Sequence, residues 1–283
     1  MTALNQADLQ QMASAVFEAI DRQIWLNRNA NLFAAGLSAG FSAEIEAVRQ
    51  NPAFELLKQQ AGFREQVIAY TVQKVLSAFY DANQFIEVSH AQITQLHTIY
   101  QQLFDDLYSR QNLQITAEAH YNRLSLWLIS SNPYLARINP PENENVARVV
   151  CANYSPAFQL EVLGIQPEAL LEPVLDLGCG DNALLVSFLR EKGVDAHGLD
   201  RSCHLSQPWI KSCSWFETEF KRGEWGTILS NIAFSVHFMH HQLRDDGDKK
   251  AYALKYAEIV RSLKPDGSFY YAPSLPQMES LLP

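Results

Sequence analysis

The segment at 174–182, VLDLGCGDN, constrains this chain more than any other. A short apolar run with an acid at its third position, Asp176, leads into two glycines spaced by one residue. Gly178 and Gly180 let the backbone turn sharply and approach a ligand closely. The residues that follow, 183–192, have helical character. A second short run, 194–199, ends in another acid, Asp200, twenty residues after Gly180. A strand, an acid, a glycine turn, a helix and a second strand closed by an acid form one half of a parallel α/β unit. A carboxylate at that second position suits hydrogen bonds to both hydroxyls of a ribose.

The same alternation continues to the chain end. Residues 227–232 and 268–272 are predicted strands, with a helix over 248–263 between them. Strands alternating with helices predict a parallel, doubly wound, Rossmann-like sheet. The N-terminal half reads differently. Leu9, Met12, Val16, Ile20 and Ile24 recur at spacings of three and four, one helical stripe. Val67, Tyr70, Val75, Ala78 and Phe79 make a second face. Ser89 is a predicted N-cap for a third helix, with Ile93, Leu96, Ile99, Tyr100 and Leu103 on its apolar side. A fourth runs over 116–130 through Tyr121, Leu124, Leu126 and Leu128. Breaks fall at 36–40, at 51–52, at Gly62 and at 132–133. Phe17, Trp25, Phe33, Phe79 and Tyr80 are expected in the helical core. The polar stretch 139–148, with two prolines, is the predicted linker. The expected domains are therefore a helical one over 1–138, able to cap a cleft, and a sheet domain over 139–283.

Composition excludes several classes. With 283 residues, 47% hydrophobic and 19% charged, the chain has the make-up of a globular protein with a sizeable core. A net charge of −9 and no Lys/Arg-rich run disfavour nucleic acid. No apolar run is long enough to span a bilayer, and the first residues lack a signal-peptide pattern. The four cysteines, Cys151, Cys179, Cys203 and Cys213, are then expected to be reduced thiols in a cytoplasmic protein.

The 174–182 segment resembles motif I of class I S-adenosylmethionine-dependent methyltransferases, an acid followed by Gly-x-Gly-x-Gly. Asn182 stands at the third glycine, and asparagine adopts left-handed conformations more readily than most residues. Residues 263–267, LKPDG, resemble the turn that precedes the fifth strand in that family. The resemblance spans about residues 145–275. It implies that Asp176 holds the methionine amino group of S-adenosylmethionine and that Gly178, Cys179 and Gly180 line the cofactor. It further implies that Asp200, with Arg201 beside it, binds the ribose end. Ser230 and Asn231 would face the methionine part. Tyr154 and Gln159 lie in a segment that would cross over the cofactor, and Trp215 or Phe216 would stack on adenine. The family's sheet usually continues beyond strand five, whereas ten residues follow Pro273 here, so the last strands are expected to be missing.

The implied activity is methyl transfer to a small-molecule acceptor. The alternatives are a non-catalytic protein of the same fold and an NAD-binding oxidoreductase. Gly178-x-Gly180-x-x-Ala183 also fits the dinucleotide fingerprint. Against that, Asp176 suits an ammonium group and would repel a pyrophosphate. After the fourth strand, His237, His240 and His241 share a helical face. His237 or His240 is a candidate general base toward a hydroxyl acceptor. No Cys or carboxylate at short spacing completes a zinc set, so no metal is assigned. Arg244 could pair with an anionic substrate or stay solvated, and the charge run 245–250 reads as a solvated loop. Cys179 reads as a small turn residue and not a nucleophile.

Overall fold

A computed structural model describes residues 6–34, 40–51, 54–55, 59–60, 62–109, 112–149, 153–203 and 205–280. Cys151, Pro52 and most of the glycine-containing break at 36–40 lie outside the described residues, as does the Leu9 side chain. The chain divides into two compact units, Met1–Val150 and Cys151–Pro283.

The first unit is helical among its described residues. It contains α1 (Gln6–Asn27), α2 (Ala43–Gln50), α3 (Phe63–Ala82), α4 (His90–Tyr108), α5 (Leu113–Ser131) and the short α6 (Tyr134–Ile138). Local chemistry sets the ends. Ser89 forms a capping box with Gln92, each side chain bonding the other's backbone N–H. The Asn112 side chain accepts from Gln114 and Ile115 N–H at the start of α5. Met12, Val16 and Ile20 from α1, Val67, Ile68 and Val72 from α3, Leu96 and Tyr100 from α4, and Leu124 and Leu128 from α5 share one core. Burying each such aliphatic side chain contributes about 1.5–3 kcal/mol.

Two expectations fail here. Leu126 is 59% exposed, because it lies two residues from Leu124 and so points off the face shared by Tyr121, Leu124 and Leu128. Trp25 is 49% exposed and lies outside the core, its ring stacked under the guanidinium groups of Arg22 and Arg28. Phe17, Phe33, Phe79 and Tyr80 do pack against the core. The stretch 139–149 is tied to the helical unit. The Asn31 side chain donates to Pro140 and Asn143 carbonyls, and Val149 N–H donates to Ala82 O.

The second unit is mixed α/β with an all-parallel five-stranded sheet. Its elements are α7 (Pro156–Leu163), β1 (Val174–Leu177), α8 (Leu184–Glu191), β2 (Ala196–Leu199), β3 (Ile210–Lys211), β4 (Trp225–Asn231), α9 (Phe234–Gln242), α10 (Lys249–Arg261), β5 (Leu263–Ala272) and α11 (Pro276–Glu279). The order is β3-β2-β1-β4-β5, with every neighbouring pair parallel. The central strand β1 is buried along its whole length, as parallel strands covered on both faces are. Residues 263–267, expected as a turn, belong to β5. Trp225 pairs with Leu263 but Thr227 pairs with Ser268, so the extra residues bulge out, with Asp266 in the left-handed region at φ 64°. The two-residue β3 was not predicted, being too short to show a period. Among the described residues no helix is long and apolar enough to cross a membrane.

Candidate functional site

The strand order reverses direction between β1 and β4. In open parallel sheets the crevice beyond the carboxyl ends of the strands at such a point is where ligands bind. β1 delivers Asp176 there, and β4 delivers Asn231.

Gly178 and Gly180 both have left-handed backbones, at φ 84° and 73°. At Gly178 a Cβ would also lie 2.4 Å from the Ala233 Cβ, so only glycine lets the turn meet the β4–α9 connection. The remaining left-handed residue of the turn is Ala183, at φ 43°, and not Asn182 as expected. The Asn182 side chain donates to Asp181 Oδ1 instead. α8 follows directly and has no side-chain cap on its first turn.

Asp200 closes the turn from β2. Its Oδ2 accepts from Gly180 N–H at 3.0 Å and its Oδ1 from Ser202 N–H at 2.7 Å. Each oxygen keeps a second lone pair for an incoming hydroxyl. Asp176 is 2% exposed, and its Oδ2 has no hydrogen-bond partner. Burial, reinforced by the Asp200 charge, pushes its carboxyl up to about 7. A carboxylate in the middle of a buried strand with an unmatched oxygen is costly. An incoming cation would remove that cost.

Other unmatched polar groups lie in the same unit. Asn231, at the end of β4, has neither Oδ1 nor Nδ2 paired. The Trp215 indole N–H and the Ser235 hydroxyl are likewise buried without a partner. Trp215 has its ring 3.7 Å from a Cβ built at Gly178 and edge-on to His237 at 5.1 Å between centroids. Ser235 was not singled out from sequence, since a serine inside an apolar helical run carries no signal.

Ser230 is committed internally. Its hydroxyl donates to Leu177 O at 2.8 Å and accepts from Phe234 N–H at 3.0 Å, tying β1 to the start of α9. Ahead of the turn, Gln159 donates to Tyr154 O, and Tyr154 stacks on Phe158. A Cβ at Gly180 would meet Asn153 Oδ1 at 3.8 Å, so this segment reaches the glycine turn. The Cys179 thiol is buried; its hydrogen bond with Cys203, together with burial, pushes its pKa up and keeps it protonated. It is therefore not a nucleophile. Cys179, Cys203 and Cys213 are free thiols. Phe216 packs edge-on against Tyr252.

The three histidines of α9 have different surroundings. His237 is buried, and burial, followed by the nearby Arg201 charge, holds it well below its usual value. It is neutral at pH 7. His240 is half-buried and is lowered to about 4 by burial and then Arg244. Its Nδ1 lies 3.3 Å from Arg244, which itself pairs with Asp246 at 3.0 Å. His241 Nδ1 accepts from Asp248 N–H at 2.9 Å, fixing the turn into α10. Among the described residues no group of three or more His, Cys, Asp or Glu is placed to hold a metal ion. Compared with protein-family models and with curated proteins, the chain matches none.

Proposed function

We propose that the second unit is a Rossmann-like S-adenosylmethionine-binding domain and that the protein is a methyltransferase acting on a small-molecule acceptor. The observation that carries this reading is the buried, unpartnered Oδ2 of Asp176 beside the Gly178 turn. A ligand that presents an ammonium group there satisfies the oxygen and draws the carboxyl back to its charged form. A dinucleotide would bring a pyrophosphate toward the same carboxylate, which favours the methyl donor over NAD.

On this reading Asp200 holds a ribose hydroxyl pair while still accepting from Gly180 N–H. Gly178 permits close approach, and Asn231 offers a donor and an acceptor to the amino-acid portion. Bound S-adenosylmethionine supplies a methyl group on a sulfonium, already activated for transfer to a nucleophile. What remains for the chain is to position the acceptor in line and to exclude water. His237, neutral and buried, is the residue suited to accept a proton from a hydroxyl acceptor, with Arg201 close by. His240, bonded to Arg244, is the weaker choice for that role.

The test is calorimetric titration of the full chain with S-adenosylmethionine, S-adenosylhomocysteine and NAD, repeated on Asp200→Ala. Roughly micromolar binding of the two sulfur compounds, weakened at least about tenfold in the variant and absent for NAD, is expected. Binding of NAD alone would overturn the reading in favour of a dinucleotide site. Binding of the sulfur compounds without turnover on any small-molecule acceptor would favour a non-catalytic protein of this fold.

A further inference from the structure

The helical unit holds a feature that methyl-donor binding does not use. A cavity of about 210 Å³ lies among α1, α3, α4 and α5, with walls that are overwhelmingly apolar. Ile20, Ile24, Val75, Phe79, Phe104 and Leu124 are among its lining side chains. It exceeds the roughly 150 Å³ of an engineered apolar cavity that stays dry and takes up benzene. Close-packed interiors keep few voids larger than a water molecule, so a space of this size in an otherwise packed helical core needs an account.

Two polar side chains in the wall supply one. Asn83, 1% exposed, uses its Oδ1 to accept from Phe85 N–H and the Tyr134 hydroxyl, but its Nδ2 has no partner. His120, 3% exposed, has an unpartnered Nδ1. Burial and the neighbouring Arg123 lower His120 to about 3, so the ring is neutral. Among the described residues no carboxylate lines the cavity. Its lining arginines among the described residues are Arg28, which is exposed and donates to Trp25 O with its guanidinium over the Trp25 ring, and Arg49, which is half-buried and engaged in an interaction of its own. The wall therefore combines apolar volume with one unmatched amide donor and one unmatched imidazole nitrogen, and the cation beside His120, Arg123, is already paired with Asp106.

We infer that this cavity is a binding site for an uncharged, mostly apolar small molecule, of medium-chain or bicyclic size, carrying one hydroxyl or carbonyl oxygen. That oxygen accepts from Asn83 Nδ2 while the hydrocarbon fills the space between the helices. An ionised head group is selected against, because it would be stripped of its water among walls that are overwhelmingly apolar. The inference is independent of what the sheet unit binds.

The experiment is fluorescence titration of the full chain with N-phenyl-1-naphthylamine, a neutral apolar probe, followed by displacement with 1-octanol and with sodium octanoate. Saturable enhancement is expected, with 1-octanol displacing the probe at a concentration about tenfold or more below octanoate. Asn83→Leu is expected to weaken 1-octanol about three- to tenfold, the worth of one hydrogen bond, and to leave the probe bound. Leu124→Trp and, at a separate wall position, Ala78→Phe fill the space; each is expected to abolish probe binding while circular dichroism stays helical. Asp176→Asn is expected to leave the probe untouched. Absence of saturable binding by the folded wild-type chain would overturn the proposal. So would probe binding unchanged in whichever filling variants fold, or octanoate displacing as well as octanol.

Discussion

The two units carry unmatched polar groups in opposite settings. In the helical unit, Asn83 and His120 are neutral and sit in the wall of an apolar cavity, where volume is what is missing. In the sheet unit the unmatched group is a carboxylate, Asp176, on a fully buried central strand, where charge is what is missing. The difference teaches that one chain can be prepared for ligands in two ways. On the readings proposed above, one site is short of atoms and would accept a shape, and the other is short of a countercharge and would accept a cation. The first should be insensitive to pH near neutrality and the second strongly dependent on it.

The largest effect should come from breaking the glycine turn of the sheet unit. Gly178→Ala places a Cβ in a left-handed backbone and 2.4 Å from Ala233 Cβ. A loss of about 2–4 kcal/mol in the urea stability of that unit is expected, with loss of S-adenosylhomocysteine binding. A Gly178→Ala protein of wild-type stability would show that the turn does not require glycine.

Asp176→Asn sharpens the comparison, because its effects on stability and on binding should have opposite signs. A carboxyl raised to about 7 from an ordinary value of 3.8 keeps its proton in the folded chain while the unfolded chain releases it. Wild-type stability should therefore fall as pH rises from about 4 to about 7 and level off above that. Asparagine removes this contribution. The ligand-free variant should gain about 1–2 kcal/mol at pH 8, the relief of a buried charge less the cost of an unpaired amide, and should lose ligand binding. A variant less stable than wild type at pH 8, with binding intact, would place Asp176 in the framework and not in the site.

A smaller effect is expected at His237. His237→Gln should leave cofactor affinity within about twofold and lower turnover on a hydroxyl acceptor about a hundredfold or more, as the loss of a general base does. Equal loss on an acceptor that carries no proton to be removed would contradict a base role. The smallest effect should be Leu126→Gln. It lies on the exposed side of α5, so urea stability should change by less than about 0.5 kcal/mol, whereas Leu124 on the buried side should cost about 2–5 kcal/mol when cut to alanine.

Much of this organisation could be read from the sequence, where local rules act alone. The Ser89 cap, the strand–glycine–helix passage at 174–191 and the acid closing β2 are each set by a few adjacent residues. Leu126 and Trp25 were misassigned because hydrophobicity was weighed without the angle each residue takes around its helix, and because arginines can cover an exposed ring. Asn182 was expected to be left-handed from its residue type. The backbone instead turns one residue later, at Ala183, where the chain must enter α8. The bulge in β5 depends on register against β4, which a single strand's sequence does not contain. The partnerless atoms of Asp176, Asn231, Ser235, Asn83 and His120 were beyond reach for a related reason. Whether a polar atom is satisfied depends on neighbours from distant parts of the chain.

The account's central claim rests on the charge state of Asp176 when ligand arrives. The most direct measurement is calorimetric titration of the full chain with S-adenosylhomocysteine at pH 6 and pH 8, in buffers of different ionisation enthalpy. An ammonium group that pairs with the carboxylate must displace its proton at pH 6. Affinity should therefore be about tenfold weaker at pH 6 than at pH 8, with close to one proton released at the lower pH. Absence of binding by the folded chain at pH 8, or binding of equal strength at both pH values with no proton released, would contradict the account.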